Sequence, residues 1–128
     1  MELMAENHGA IVHRMSLNEE PFEKMLCGVK TIEVRCNDEK RQKIKVNDMI
    51  LFQLVNHKDK YIIARVKALY PFQTFHELYS AFDFSEFGCT GYTMEQMLKE
   101  TVEIYSAEKE LKYGALGIRV EKIGDNDK

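Results

Sequence analysis

Four stretches of this chain alternate apolar and polar residues with a period of two, and a fifth is almost continuously apolar. Successive side chains of a strand point to opposite faces, so a period of two marks a half-buried β-strand. The alternating stretches are 10–17, 30–35, 61–70 and 115–123. The apolar run is 49–55, which predicts a strand covered on both faces. Each stretch is too short to fold alone, so the strands must pair with one another and something must cover them.

Short helices with clear punctuation supply the cover. In Asn18–Gly28, Asn18 can accept from the first free N–H groups, and Glu19 and Glu20 suit the positive end of the helix dipole. Pro21 is tolerated because it falls in the first turn. Phe22, Met25 and Leu26 form the apolar stripe, and Gly28 lets the chain leave through positive φ. Thr74-x-x-Glu77 and Thr93-x-x-Gln96 read as capping boxes, the second opening a helix to about Ile104, and Ser106 caps a further turn or two that Gly114 ends. The element order is therefore β-α-β-β-β-α-α-α-β. Polar turns at Asn47-Asp48 and His57–Lys60, with Pro71 closing the fourth strand, predict an antiparallel meander. The expected class is α+β, a small β-barrel of mostly antiparallel strands flanked by short helices.

A chain of 128 residues is one domain in length, here 10–123, with a loose leader at 1–9 and a polar tail at 124–128. No apolar stretch approaches the roughly 20 residues of a membrane span, and the first eight residues have no secretion-signal pattern, so the expected location is the cytoplasm. Cys27, Cys36 and Cys89 form no C-x-x-C, and Cys27 and Cys36 read as reduced packing residues. The four histidines never pair at ligand spacing, though His13 shares the apolar parity of its strand and should be a satisfied inward residue. No metal or cofactor is called for, and no hydrolase or nucleotide-binding motif is present.

Charge is more informative. The chain carries a net -3, which disfavours a general nucleic-acid coat. Yet residues 30–67 hold ten Lys and Arg against five Asp and Glu, a local +5. Within this basic third, Gly28-Val-Lys-Thr-Ile-Glu-Val-Arg35 puts Thr31, Glu33 and Arg35 on one strand face, with Lys30 beside them at the strand's start. The row fits a solvated face with a Glu33–Arg35 ion pair, or the floor of a polar cleft. In a cleft, Arg offers a rigid fork for phosphate or a base edge and Lys a mobile point charge.

The same segment matches the G-x-K-T-I-E-x-R pattern of a known family. Asp38-Glu-Lys-Arg41, Ile44–Ile50 and Tyr105–Gly114 follow in the family's order. Over about residues 10 to 122 the chain resembles an ASCH-domain protein of the PUA-like superfamily; Asn47 stands where the family usually has Gly. The resemblance implies a PUA-like barrel and a cleft for RNA or a nucleoside-like small molecule. It places Lys30, Glu33 and Arg35 in that cleft, with Thr31 on the same strand and Lys40 and Arg41 as nearby phosphate contacts. Tyr61, Tyr92, Tyr105 or Tyr113 could stack on bases. It also implies an enzymatic alternative, a small amidohydrolase removing acyl groups from the cytidine amine. There Lys30 would be catalytic, Glu33 stands where the attacking threonine is expected, and Glu86 is the carboxylate nearest the family's distal glutamate. A ribonuclease would use Lys30 and Arg35 to stabilise the phosphorane and Glu33 as base.

Overall fold

A computed structural model describes residues 11–126. The leader expected at 1–9 and the last two residues lie outside the described residues. Among the described residues there are five strands: β1 (Val12–Leu17), β2 (Ile32–Cys36), β3 (Met49–Leu54), β4 (His57–Phe72) and β5 (Ala115–Asp125). Four helices accompany them: α1 (Glu19–Leu26), α2 (Phe75–Ser80), α3 (Met94–Val102) and α4 (Ala107–Tyr113), with 3-10 turns at Arg41–Lys43 and Phe84–Phe87. The class is α+β, as the periodicity requires.

The strand order is β1-β3-β4-β5-β2, and the sheet curls into a half-barrel. The expected meander holds only for β3 and β4. β2 does not pair with β3; it crosses to the far edge and lies antiparallel to β5, with Glu33 opposite Ile118. β1 lies parallel to β3, Met15 opposite Phe52. The two edge strands, β1 and β2, are far apart in ladder order, and the curl brings them together: the Arg35 guanidinium on β2 donates to the Ser16 carbonyl on β1 at 2.8 Å. That bond spans the open seam of the half-barrel.

Other details of the sequence reading shift for local reasons. The β3–β4 turn is Val55-Asn56, with Asn56 at φ 68, and His57–Lys60 already belongs to β4. Asn tolerates the left-handed region better than most residues. β3 is covered on one face only: Ile50, Phe52 and Leu54 are buried and their neighbours half-buried. β4 runs through Pro71 because β3 ends its pairing at Met49–Arg65, so no ladder partner is missed on that side. β5 continues through Gly124, where the polar tail was expected. Asn18 occupies the N-cap of α1 without a side-chain bond, α3 stops at Val102, and Cys27 is exposed while Cys36 is buried. His13 does find a partner: its Nε2 donates to the Asp48 carboxylate at 2.8 Å. No helix of the described residues is long and apolar enough to cross a membrane.

Two hydrophobic cores result. One fills the curl, with Met15, Phe22, Ile50, Phe52, Ile62 and Ile118 at its centre. The other lies on the outer side of β2 and β5, under α2 and α3, around Ile32, Phe75, Leu78, Phe87 and Met97. Burial of such side chains contributes about 1.5–3 kcal/mol each. The full capping box at Thr93–Gln96 and the Thr74 cap on Glu77 fix where α3 and α2 begin, so that their apolar stripes meet this second core.

Gly114 ends α4 at φ 74 and ψ -165, a region essentially reserved for glycine, and an added Cβ would stand 2.5 Å from the Phe72 carbonyl oxygen. Gly28 has φ 82 but open space around it. Gly28→Ala is expected to cost about 1–2 kcal/mol in urea unfolding, the left-handed penalty alone. Gly114→Ala should cost distinctly more, because backbone must move. Equal losses would show that the α4–β5 junction is not constrained as described.

Candidate functional site

β2 is the strand on which the site is built. Its apolar parity, Ile32, Val34 and Cys36, turns to the second core. Its polar parity, Glu33 and Arg35, turns the other way, into the seam between β1 and β2. Glu33 is 5% exposed and Lys30 7% exposed, so a carboxylate and an ammonium are both withdrawn from water. Burial of this kind is costly unless each charge is fully partnered.

The partners are present. Glu33 Oε1 stands 3.2 Å from Lys30 Nζ, and Glu33 Oε2 accepts from Arg35 Nε at 2.5 Å. Lys30 Nζ also donates to the Ile32 carbonyl at 2.9 Å and the Phe87 carbonyl at 3.5 Å. An ammonium has three N–H donors, and here three acceptors surround it. Lys30 reaches this position from just before the strand, although its parity is odd. Burial by itself would raise the Glu33 carboxyl, but Arg35 and then Lys30 outweigh it and hold it below the ordinary value. Burial likewise works against the Arg35 charge, and the Glu33 carboxylate more than offsets it.

Above this floor is a cleft of about 290 Å³ at the junction of the two cores. Leu17 and Pro21 form one wall; Tyr79, Phe87, Met97 and Tyr105 form the other. The second wall is rigid. Tyr79 Oη lies 2.6 Å from Thr101 Oγ1, which donates to the Met97 carbonyl at 2.8 Å. Tyr79 meets Phe87 edge to face at 5.2 Å between centroids. Burial pushes the Tyr79 phenol up to about 12, so it stays neutral. The Phe84–Phe87 turn that carries Phe87 is tied down by the Glu86 carbonyl, which accepts from Thr31 N at 2.9 Å, and by the Glu86 carboxylate, 2.7 Å from Arg119 Nη1. Burial also raises the Cys89 thiol, which faces the same cleft as an unreactive group.

The structure thus brings Lys30, Glu33 and Arg35 together, with Tyr105 as the one tyrosine of the four expected stackers that reaches the cleft. Thr31 does not line it; its hydroxyl and N–H both meet the Glu86 carbonyl. Lys40 and Arg41 line a separate, adjoining hollow of about 310 Å³. Glu86 is turned to Arg119, away from the cleft, and the carboxylate that does reach the rim is the exposed Glu100. Tyr79, Phe87 and Met97 were legible only as core stripes of short helices. Among the described residues no group of three His, Cys, Asp or Glu comes together as a metal site.

A larger hollow of about 720 Å³ lies between α4 and the β4–α2 junction. Its carboxylate, Glu110, is committed to Phe75 N at 2.8 Å, and its cation, Lys112, stands 5.1 Å from the centroid of the Tyr113 ring. It gathers no converging charges, so size does not make it the candidate. The smaller cleft sets two cations, Lys30 and Arg35, against Glu33 on its floor and Glu100 at its rim, and so joins a carboxylate acceptor and a guanidinium fork to an aromatic wall with no net charge.

A curled five-stranded sheet with helices over one flank and a charged cleft at its seam defines a small PUA-like α+β protein. The chain belongs to the ASCH domain family, whose model matches residues 15–124. ASCH domains are generally regarded as RNA-binding. Among solved structures, hypothetical protein PH0355 is similar with a TM-score of 0.79 and 31% identity, over 88% of this chain and 99% of that one. Protein PF0455 from Pyrococcus furiosus has a TM-score of 0.68 and 29% identity, over 88% of this chain and 97% of that one. An ASCH protein from Zymomonas mobilis shares the fold at a TM-score of 0.63 and 14% identity, over 89% of this chain and 69% of that one. No significant match is found among curated proteins.

A folded-state carboxyl held below its unfolded value stabilises the protein above the unfolded value and loses that contribution as pH falls through the folded one. Glu33 is such a group, so part of the stability should be lost in acid, starting as pH drops under about 4.5. Glu33→Gln leaves Lys30 and Arg35 buried without their counter-charge and is expected to cost about 3–5 kcal/mol at neutral pH. It should also flatten the acid limb. Urea unfolding at pH 7 and pH 3 checks both; an unchanged acid limb would remove Glu33 from the explanation.

Proposed function

We propose that the cleft takes one unpaired base of RNA, or the base of a nucleotide-like ligand, and that the protein acts as a binding module. The observation that carries this reading is the convergence of Lys30, Glu33 and Arg35 on a concave floor beside aromatic walls. A base edge presents donors and acceptors side by side. Glu33 can accept from an exocyclic amine or ring N–H, while Arg35, whose five N–H donors outnumber its contacts to Glu33, Ser16 and Tyr105, can donate to ring nitrogens and carbonyls. Tyr105, half-buried and stacked on Phe75 at 5.5 Å between centroids, supplies a face for stacking, with Phe87 buried in the wall behind. A hollow of about 290 Å³ is at the small end of ligand sites, which suits one splayed nucleotide and not a duplex. Thr31 contributes by tying β2 to the Phe84–Phe87 turn.

The same geometry supports binding over the amidohydrolase alternative. Lys30 has its three N–H donors directed at protein acceptors, and Glu86 is paired with Arg119. Neither is poised to take a proton from water or from a substrate. For a ribonuclease, Glu33 as base would have to leave two cations that hold it as a carboxylate.

Titration of single-stranded oligoribonucleotides should shift the amides of Lys30–Arg35 and Tyr105. Tyr105→Ala should weaken binding by about 1–3 kcal/mol, the usual worth of one base–aromatic stack. A duplex of the same sequence should bind more weakly than the single strand. Unshifted amides at β2, or a duplex that binds better, would reject the cleft as the binding site.

A further inference from the structure

The hollow next to the cleft is lined by four cations and no carboxylate: Arg14 from β1, Arg35 from β2, and Lys40 and Arg41 from the segment that follows it. Two carboxylates stand behind these cations. Glu33 is committed to Arg35, and Asp38 accepts from Arg41 N at 3.1 Å and from Arg41 Nη1 at 3.4 Å. Arg14 and Lys40 are exposed and form no ion pair among the described residues. Arg41 Nε is buried and has no hydrogen-bond partner among the described residues. A buried guanidinium N–H left unmade is costly, so this group takes its acceptor from solvent or from a bound ligand.

This hollow is not independent of the cleft. Arg35 and Ser16 line both, and the bond from Arg35 Nη2 to the Ser16 carbonyl forms the partition between them. One side of the partition is aromatic and carries Glu33; the other is polar and carries only positive charge. That division has the layout of a nucleotide, in which an apolar, hydrogen-bonding base is joined to an anionic phosphate.

Resting on the base-cleft reading above, we infer that the basic hollow formed by Arg14, Lys40, Arg41 and the outer face of Arg35 seats the phosphate of the nucleotide whose base enters the cleft. The ligand class is then a phosphorylated nucleotide or a nucleotide within a single RNA strand, and a bare nucleoside is a poor ligand. Arg suits a phosphate because its planar fork meets two oxygens at once, and Lys40 adds a mobile point charge.

The test compares the four ribonucleosides with their 5′- and 3′-monophosphates by calorimetry, with inorganic phosphate as a separate probe read by amide shifts. A best nucleotide should bind about tenfold to a hundredfold more tightly than its nucleoside, the worth of one or two charge-assisted bonds. The Arg14→Gln/Lys40→Gln double variant changes two exposed side chains and should bring that ratio close to one. Lys67→Gln removes an exposed cation of β4 that lines neither hollow and should keep it. Inorganic phosphate alone should shift Arg14, Lys40 and Arg41 amides. A wild-type ratio near one, with nucleosides bound at β2, would overturn the phosphate site and leave the base cleft standing. A high ratio that survives the double variant would also overturn it, because the phosphate must then sit elsewhere. Phosphate shifts without any nucleoside binding would sink the base reading and the joined site together, leaving a bare anion site.

Discussion

A buried carboxylate held between two cations is the constraint around which this molecule is organised. Glu33 can stay ionised out of water only because Arg35 and Lys30 stand on either side of it. Those cations are themselves placed by backbone: Lys30 by the carbonyls of Ile32 and Phe87, Arg35 by the carbonyl of Ser16. The cluster therefore joins three pieces of chain that are distant in sequence, β1, β2 and the Phe84–Phe87 turn. It also joins the two edge strands of the sheet. A half-barrel leaves unpaired backbone along its edges, which is an invitation to wrong pairing. Here the seam is bridged by a guanidinium instead of a ladder, and a bridge made of a side chain leaves a hollow on each side of it. The functional geometry follows from how the barrel is closed.

Local chemistry was readable from the residues because local chemistry decides it. Period two located the strands, and Thr93–Gln96 and Gly114 marked helix ends, since a cap satisfies backbone groups only a few residues away. Pairing was not readable in the same way. Nothing within β2 says that its partner is β5, some eighty residues on, instead of β3; the choice belongs to the whole sheet, where β1 has already taken the free side of β3. The hairpin turn was misplaced by two residues because the charged run His57–Lys60 resembles a loop, although Asn56 was the residue able to take the positive φ. Polarity marks exposure, and an exposed strand end is as polar as a turn.

The floor of the site was legible for a related reason. Strand parity puts Glu33 and Arg35 on one face, and Lys30, at the strand's start, reaches the same place despite its odd parity. What parity could not say is whether that face is wet or enclosed, since enclosure depends on helices that arrive much later in the chain. The walls were illegible because Tyr79, Phe87 and Met97 belong to the second core and to the cleft at once. A stripe of apolar residues looks identical in sequence whether its last member touches another side chain or a ligand. Thr31 fails for the opposite reason. It has the right parity, but β2 begins one residue later, and before the ladder starts its polar groups follow the Glu86 carbonyl.

The placement of carboxylates then separates what each hollow can recognise. A protein with net charge -3 repels polyanions at long range, so a useful contact with a phosphate must come from a local excess of cations. In the aromatic cleft Glu33 and the rim carboxylate Glu100 balance the two positive charges, and the Glu33 acceptor oxygens would repel a phosphate pressed against the floor. That arrangement favours a neutral ring with its own N–H groups. In the basic hollow no carboxylate lines the surface, although Asp38 behind it accepts from both the backbone N–H and the Nη1 of Arg41. Two cavities of nearly equal volume, about 290 and 310 Å³, thus differ in the charge at their floor and share a single guanidinium. Exchanging Glu33 for a neutral residue would not simply weaken base binding. It would also make the cleft more attractive to phosphate, so under the proposed reading this buried carboxylate would keep the two halves of a nucleotide from entering the wrong way round.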